Sequence, residues 1–186
     1  ADFRRLVAMG SLSKRSNAPG LRSGFVAGDA TLMAAFLKLR SFNGSAMAGT
    51  VVAASIDAWN DEAHVVANRA AYARKFRELT PLLAKHLPVT LPQAAFYWWL
   101  PIPASYNRDD ERFTRDLFAA TGITVIPGTY LSRTGTGGVN PGKGYMRIAL
   151  VSEYDECHEA VLRLSNFLAS RTPTAELNDS SLHVIA

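Results

Sequence analysis

The sequence contains a single cysteine, Cys157, and no long hydrophobic run. A lone cysteine cannot form an internal disulfide or a zinc site built from cysteines, and this scarcity is typical of proteins from a reducing compartment. No apolar stretch approaches the roughly 20 residues that a membrane-spanning helix needs. Residues 1–5 also lack the apolar core of a signal peptide. These absences favour a cytoplasmic protein without a membrane partner.

The sequence also lacks a concentrated charge run and a cluster of metal ligands. Its 20 basic and 16 acidic residues give a net charge of +4, and the basic residues are scattered, so we expect no nucleic-acid partner. The four histidines are dispersed, so we expect no metal site. Residues 137–143 have the spacing of a phosphate-binding loop, but Gly144 stands where magnesium binding needs a serine or threonine. We therefore do not expect nucleotide binding.

Nearly half of the residues are apolar, and they follow alternating strand and helix patterns. Near the start we predict a buried strand, a second strand, and a helix capped by Asp29. We predict strands over residues 5–10, 24–27, 88–92, 95–101, 123–126 and 145–151, with 88–92 paired to 95–101. We predict helices over residues 30–39, 49–84 and 107–121, the second of them bent near residues 60–61. A last helix has an apolar stripe from Tyr154 to Leu168. This order predicts an α/β fold.

The chemically informative side chains are concentrated in residues 11–24, which read SLSKRSNAPGLRSG. A lysine amine such as that of Lys14 can attack an aldehyde when nearby cations or desolvation keep it partly neutral. Arg22 can hold a phosphate with its fork of N–H donors, and the hydroxyls of Ser11 and Ser13 can add neutral hydrogen bonds. The segment therefore predicts an anchored phosphate beside an aldehyde.

The same segment resembles the Schiff-base signature of class I/II aminotransferases, which are pyridoxal 5'-phosphate (PLP) enzymes of fold type I. The resemblance implies that Lys14 carries the cofactor as a Schiff base, and that Ser11, Ser13 and Arg22 bind it. Ser23 departs from the pattern, since the family more often has a small aliphatic residue there.

A second segment, GYMRIAL at residues 144–150, resembles the late strand of the family that carries the arginine for the substrate α-carboxylate. The resemblance therefore implies that Arg147 binds the substrate, and the glycine-rich loop before it makes Asn140 and Arg133 candidates for contacts with distal substrate groups. Asn43 and Ser45 lie where related enzymes reach across a dimer interface toward the partner's cofactor phosphate, although a plain turn between helices explains them equally well.

The resemblance covers about residues 3–170 and is strongest to succinyldiaminopimelate aminotransferases of bacterial lysine biosynthesis. It implies a homodimer that transfers an amino group from glutamate to the keto acid N-succinyl-2-amino-6-oxopimelate. It also implies that residues 1–60 are the end of the large PLP-transferase domain, with mixed sheet strands and long helices. Residues 61–171 would then form the small α+β C-terminal domain, followed by a flexible tail over residues 172–186.

In this family an aspartate at the pyridine nitrogen, an aromatic ring stacked on the cofactor and an Asn/Tyr pair at its phenolic oxygen all precede the lysine. We find no counterpart for them here, so we expect this chain to be an incomplete and inactive fragment. Two alternatives stay open. The site could serve another fold-type I enzyme, such as a lyase or an aspartate or alanine aminotransferase, or the chain could be a non-catalytic fragment that self-associates.

Overall fold

The computed structural model describes residues 3–44 and 46–171 and has the predicted mixed α/β composition. The chain divides into two compact units, Ala1–Ala71 and Tyr72–Ala186, and the division falls within one helix. The predicted tail, residues 172–186, lies outside the described residues. The elements in chain order are β1 (Val7–Ser11), α1 (Leu12–Arg15), β2 (Gly24–Gly28), α2 (Ala30–Arg40), α3 (Gly49–Asn60), α4 (Ala63–Leu83), β3 (Tyr97–Pro101), α5 (Asp110–Thr121), β4 (Ile126–Pro127), β5 (Tyr145–Ala149) and α6 (Tyr154–Ala169). In the described part of the chain, no helix combines the length and apolar character that crossing a membrane requires.

In the first unit, β1 and β2 form an antiparallel ribbon in which Ser11 pairs with Gly24. Helix α2 follows β2 because the Asp29 carboxylate accepts hydrogen bonds from the N–H groups of Thr31 at 2.8 Å and Leu32 at 3.3 Å. A side chain of this kind satisfies donors that have no partner inside the helix. The predicted cap is therefore confirmed.

The predicted bend near residues 60–61 is also present, because α3 ends at Asn60 and α4 begins at Ala63. The Asp61 carboxylate accepts a hydrogen bond from the N–H of Ala63 at 2.8 Å, and its second oxygen lies 2.8 Å from Nδ1 of His64. One short polar side chain thus ends the first helix and starts the next.

The prediction that β1 is buried is wrong for the described residues. Met9 is 78% exposed, and α2 buries none of its residues, with Leu37 71% exposed. The reason lies in the sheet. Among the described residues β2 is the only strand paired with β1, and a two-stranded ribbon leaves most of both faces without a covering layer.

In the second unit, three antiparallel strands form a sheet in the order β3, β5, β4. Trp98 and Leu100 of β3 lie opposite Ile148 and Met146 of β5, and all four side chains are at most 9% exposed. Because side chains alternate along a strand, the intervening residues of β5 lie on the other face, as predicted. The core is completed by helices, with Phe76, Leu79 and Leu83 of α4, Phe113 and Leu117 of α5, and Val161, Leu164, Phe167 and Leu168 of α6.

Three predicted elements are wrong in this unit, one because it does not form and two because their bounds differ. Residues 88–92 form no strand, because a proline without an N–H donor stands at each end, and β3 pairs with β5 instead. The helix expected over residues 107–121 begins only at α5, since Asn107 and Arg108 have the left-handed φ values of 49° and 62°. The strand expected over residues 123–126 is reduced to the short β4.

Candidate active site

Strand β1 runs directly into α1, a single helical turn that carries the predicted lysine. Ser11 caps this turn, since its Oγ accepts a hydrogen bond from the N–H of Ser13 at 3.2 Å and donates one to the carbonyl of Ser23 at 3.3 Å. The N–H of Leu12 donates to the same carbonyl at 3.1 Å, and the Leu12 side chain is fully buried. The turn is thereby tied across the ribbon to the start of β2.

The turn has two faces because residues three apart on a helix lie on the same side. Leu12 and Arg15 share the face that packs inward. Lys14 lies on another side of the turn and is exposed, and Ser13 is half-buried. The local fold therefore presents the Lys14 amine on a different side of the turn from the packing that anchors Leu12.

Arg22 lies in the loop that leads from α1 to β2. Its backbone is left-handed, with φ 50° and ψ 34°, and its exposed side chain donates one hydrogen bond, from Nη1 to the carbonyl of Pro19 at 3.0 Å. Within the described residues its other guanidinium donors make no hydrogen bond and no ion pair. They are therefore available to an anion such as a phosphate.

In the second unit, Arg147 occupies the middle of the central strand, β5. Its cross-strand partners are Trp99 of β3 and Ile126 of β4, and its guanidinium carbon lies 5.6 Å from the centre of the Tyr97 ring. Trp99 and Tyr145 stack on the same face, with ring centres 5.7 Å apart. In the described part of the chain Arg147 forms no ion pair, so this arginine has no carboxylate partner there. A ligand carboxylate would satisfy it.

The loop before β5 is organised by Asn140 rather than left open. The Asn140 amide donates to the carbonyls of Thr129 at 3.1 Å and Ser132 at 3.4 Å, while its oxygen accepts from Ser132 Oγ at 2.7 Å and from the N–H of Gly142 at 2.9 Å. The backbones of Gly128 and Gly142 approach so closely that a Cβ on either would lie 2.2 Å or less from the other's carbonyl oxygen. Asn140 therefore fixes the shape of this loop.

Arg133, the other loop candidate, differs from Asn140 in its surroundings. Its side chain is exposed, and it makes no hydrogen bond or ion pair with the residues described. Of the two loop candidates, Arg133 is thus the one with a charged group available to a ligand.

Asp110, a buried residue that the sequence did not mark, connects this loop to the start of α5. Its carboxylate accepts hydrogen bonds from Thr129 N at 2.7 Å, Thr129 Oγ1 at 2.8 Å and Gly144 N at 3.3 Å. Burial raises the pKa of the Asp110 carboxyl, but these hydrogen bonds outweigh burial and hold the pKa below its usual value. Asp110 therefore joins the start of α5 to Thr129 and to Gly144, which lies shortly before Arg147 on the chain.

The two candidates for contact across a dimer interface are only partly described. Asn43 is exposed, and its carbonyl accepts a hydrogen bond from Arg40 Nη1 at 3.0 Å, as in a helix-ending turn. Ser45 lies outside the described residues.

Sequence reasoning also missed Tyr97 and Arg15. Tyr97 contacts Arg147 across β3 and β5, and no local sequence signal marks this contact because it depends on the pairing of two distant strands. Arg15 follows Lys14 and is the most strongly bonded side chain of the lysine turn, with contacts to three residues around the end of α3. Only its position next to Lys14 could have indicated it.

The fold is shared with aminotransferases of known structure. An aminotransferase from Neisseria meningitidis Z2491, solved by crystallography, superposes with a TM-score of 0.81 at 47% identity, covering 90% of this chain and 42% of that one. A probable N-succinyldiaminopimelate aminotransferase from Thermus thermophilus superposes with a TM-score of 0.74 at 27% identity, covering 89% of this chain and 43% of that one.

The chain belongs to the class I and II aminotransferase family, whose family model, "Aminotransferase class I and II", matches residues 2–164. An LL-diaminopimelate aminotransferase from Nitratidesulfovibrio vulgaris (strain DSM 19637 / Miyazaki F) is 33% identical over 158 residues, which are 84% of this chain and 39% of that protein. The chain thus spans about two fifths of the length of the curated relatives it matches.

The family depends on PLP, and the donors of the first unit fit that cofactor. The segment from Ser11 to Arg22 carries the hydroxyls of Ser11 and Ser13, the exposed Lys14 and, in Arg22, a guanidinium with donors to spare among the described residues. Hydroxyls and a guanidinium suit a phosphate, and an amine suits an aldehyde.

Proposed function

We propose that this chain supplies the cofactor-bearing lysine of a PLP-dependent aminotransferase. The proposal is carried by one observation: Lys14 lies exposed on a serine-capped turn inside the segment that matches the family. PLP, when bound, acts as an electron sink for the bonds at the substrate α-carbon. Lys14 Nζ holds the cofactor covalently between turnovers, and the released amine moves the proton at the substrate α-carbon.

The phosphate group is held, in this proposal, by Arg22 together with the hydroxyls of Ser11 and Ser13, and the Ser11 hydroxyl turns from the Ser23 carbonyl to donate to it. Arg22 has guanidinium donors to spare among the described residues, and Ser11 Oγ caps the turn that carries Lys14. A phosphate bound there keeps its aldehyde end near the lysine amine.

Arg147 binds the α-carboxylate of the amino acid. The support is its position on the central strand without a carboxylate partner in the described residues, and the ring of Tyr97, which favours a guanidinium held in place. Fixing the carboxylate fixes the direction of the α-hydrogen. Arg133 is the proposed contact for a distal anionic group, with Asn140 shaping the loop that carries it.

For the substrate, we propose transfer of an amino group from glutamate to N-succinyl-2-amino-6-oxopimelate in lysine and diaminopimelate biosynthesis. The probable N-succinyldiaminopimelate aminotransferase among the structural relatives supports this choice. A second candidate is LL-diaminopimelate itself, because several relatives at 30–34% identity carry the name LL-diaminopimelate aminotransferase.

The two substrates can be compared in the reverse direction with the full-length protein, PLP and 2-oxoglutarate as acceptor. N-succinyl-LL-diaminopimelate, LL-diaminopimelate, aspartate and alanine are offered in turn, and glutamate formation is measured. We expect kcat/KM to be at least about tenfold higher for the succinylated donor, a difference of about 1.4 kcal/mol. A preference for any other donor would reject the succinyl assignment, and the variant Lys14→Ala gives the background rate.

We also propose that the protein works as a cytoplasmic homodimer, with Asn43 as a candidate contact to the partner's cofactor phosphate. Light scattering should give twice the mass of one full-length chain. If that sample is monomeric and still active, this assignment fails.

A further inference from the structure

Arg15 makes an unusual set of contacts for a residue in a four-residue helical turn. Its Nη1 donates to the carbonyl of Ala58 at 2.7 Å, and its Nη2 donates to Glu62 Oε1 and, at 3.5 Å, to the carbonyl of Trp59. Its guanidinium carbon lies 4.9 Å from the centre of the Trp59 ring, and its side chain is only 17% exposed.

These partners are grouped around one feature, the C-terminal end of α3. The last carbonyls of a helix have no partner within it, and the end of the helix carries partial negative charge. A guanidinium can satisfy two carbonyls and a carboxylate together because its five donors diverge in one plane, whereas an ammonium is a compact point charge. Arg15 therefore fastens the lysine turn to the end of α3.

Fastening Arg15 also fixes the direction of Lys14. With 3.6 residues per turn, consecutive side chains point about 100° apart around a helix, so one anchored side chain sets the bearing of its neighbour. Leu12, fully buried three residues earlier, anchors the same face. The turn is thus held at two points on one face while Lys14 lies on another.

We propose that Arg15 is a positioning residue, which holds the Lys14 amine in place by clamping the turn to Ala58, Trp59 and Glu62. The inference rests on the proposed function, because it assumes that Lys14 is the residue to which PLP becomes attached. Arg15 itself touches neither cofactor nor substrate in this proposal. The reaction of Lys14 with an aldehyde depends on the clamp because a turn held only at Leu12 samples more orientations than one held at both points.

The test measures attachment rather than turnover. The full-length protein is incubated with sub-saturating PLP and reduced with borohydride, and peptide mass spectrometry gives the labelling of Lys14 relative to Lys38. Lys38 is an exposed lysine on α2 and serves as a reference inside the same molecule. We expect Lys14 to be labelled far more than Lys38, and Arg15→Met to lower the ratio on the order of tenfold.

The matched control is Arg74→Met. Arg74 also pairs with a glutamate, Glu78 at 3.2 Å, and lies over an aromatic ring, Tyr154 at 4.0 Å, but it is in the second unit. This variant should leave the labelling ratio unchanged. A loss in Arg74→Met as large as that in Arg15→Met would mean that the effect is general destabilisation, and the inference would fail.

A second variant, Glu62→Gln, removes the charge of an exposed partner without creating a cavity. It should lower the labelling of Lys14 relative to Lys38 about threefold. If Arg15→Met does not fold, this variant alone tests the inference. An unchanged ratio in Glu62→Gln and in any folded Arg15→Met overturns the inference. Equal labelling of Lys14 and Lys38 in the unmodified protein would instead reject the proposed function.

Discussion

The substitution Asp110→Asn provides a quantitative test of how the loop before Arg147 is held. In the structure one carboxylate oxygen accepts from Thr129 N at 2.7 Å, and the other accepts from Thr129 Oγ1 at 2.8 Å and Gly144 N at 3.3 Å. An asparagine keeps the shape but replaces one of these acceptors with a donor. The threonine hydroxyl can turn to accept from that donor, whereas one of the two backbone N–H groups must lose its partner.

The expected cost follows from that count. A buried backbone donor without a partner costs about 1–3 kcal/mol, and Asp110 is 2% exposed, so water cannot replace the lost acceptor. We therefore expect the free energy of unfolding to fall by about 2 kcal/mol at pH 7. Urea unfolding of the full-length protein, followed by tryptophan fluorescence, measures this change, since Trp98 lies in the core of the same unit.

The pH dependence of the stability difference provides an independent test of the role of the Asp110 carboxylate. Because the hydrogen bonds hold the pKa of Asp110 below its unfolded value, the stability that the carboxylate provides is complete above about pH 4. It is lost as the pH falls through the folded pKa. The difference between the unmodified protein and Asp110→Asn should therefore shrink in acid.

The adjacent residue supplies the control for this prediction. Asp109 caps α5 by accepting from Arg112 N at 2.9 Å, and asparagine caps a helix about as well as aspartate. Asp109→Asn should change the unfolding free energy by less than about 0.5 kcal/mol. If Asp110→Asn is equally mild, or if its effect does not diminish in acid, the described role of Asp110 is wrong.

Three further outcomes are expected. Arg147→Lys should raise KM for amino-acid substrates by about tenfold or more, because an ammonium cannot grip a carboxylate with two parallel bonds, and it should leave labelling of Lys14 by PLP and borohydride unchanged. Burial raises the pKa of the Cys157 thiol, so an aromatic disulfide reagent should react with it slowly at pH 8 and rapidly after unfolding; fast reaction in the native state would contradict this. Gly122→Ala should lower the free energy of unfolding by about 1 kcal/mol in thermal or urea unfolding, because Gly122 ends α5 with a φ of 71°. Gly137 also has open space around it but no positive φ, so Gly137→Ala should leave the stability unchanged.

Local sequence rules predicted those elements whose causes lie within a few residues. Asp29 caps α2, and the helices break after Asn60, because one short polar side chain decides each event. The lysine motif was likewise readable, since Ser11 and Lys14 belong to one contiguous segment, but the helical turn α1 that carries Lys14 was not predicted.

Features that depend on distant partners could not be read in this way. The pairing of β3 with β5 joins segments more than forty residues apart, so the nearer residues 88–92 were a natural but wrong choice. The bonds of Asp110 to Thr129 and Gly144, and the clamp formed by Arg15, exist only once separate segments pack together. Burial of β1 was also misjudged, because an apolar strand pattern does not say what covers it.

The central claim, that Lys14 is the attachment point of PLP, is tested most directly by mapping the reduced adduct. The full-length protein is incubated with PLP, reduced with borohydride and digested, and the peptides are identified by mass spectrometry. We predict one dominant labelled site at Lys14, and loss of that label in Lys14→Ala without a compensating site. Labelling that is spread over several lysines, or concentrated at another lysine, would contradict the account.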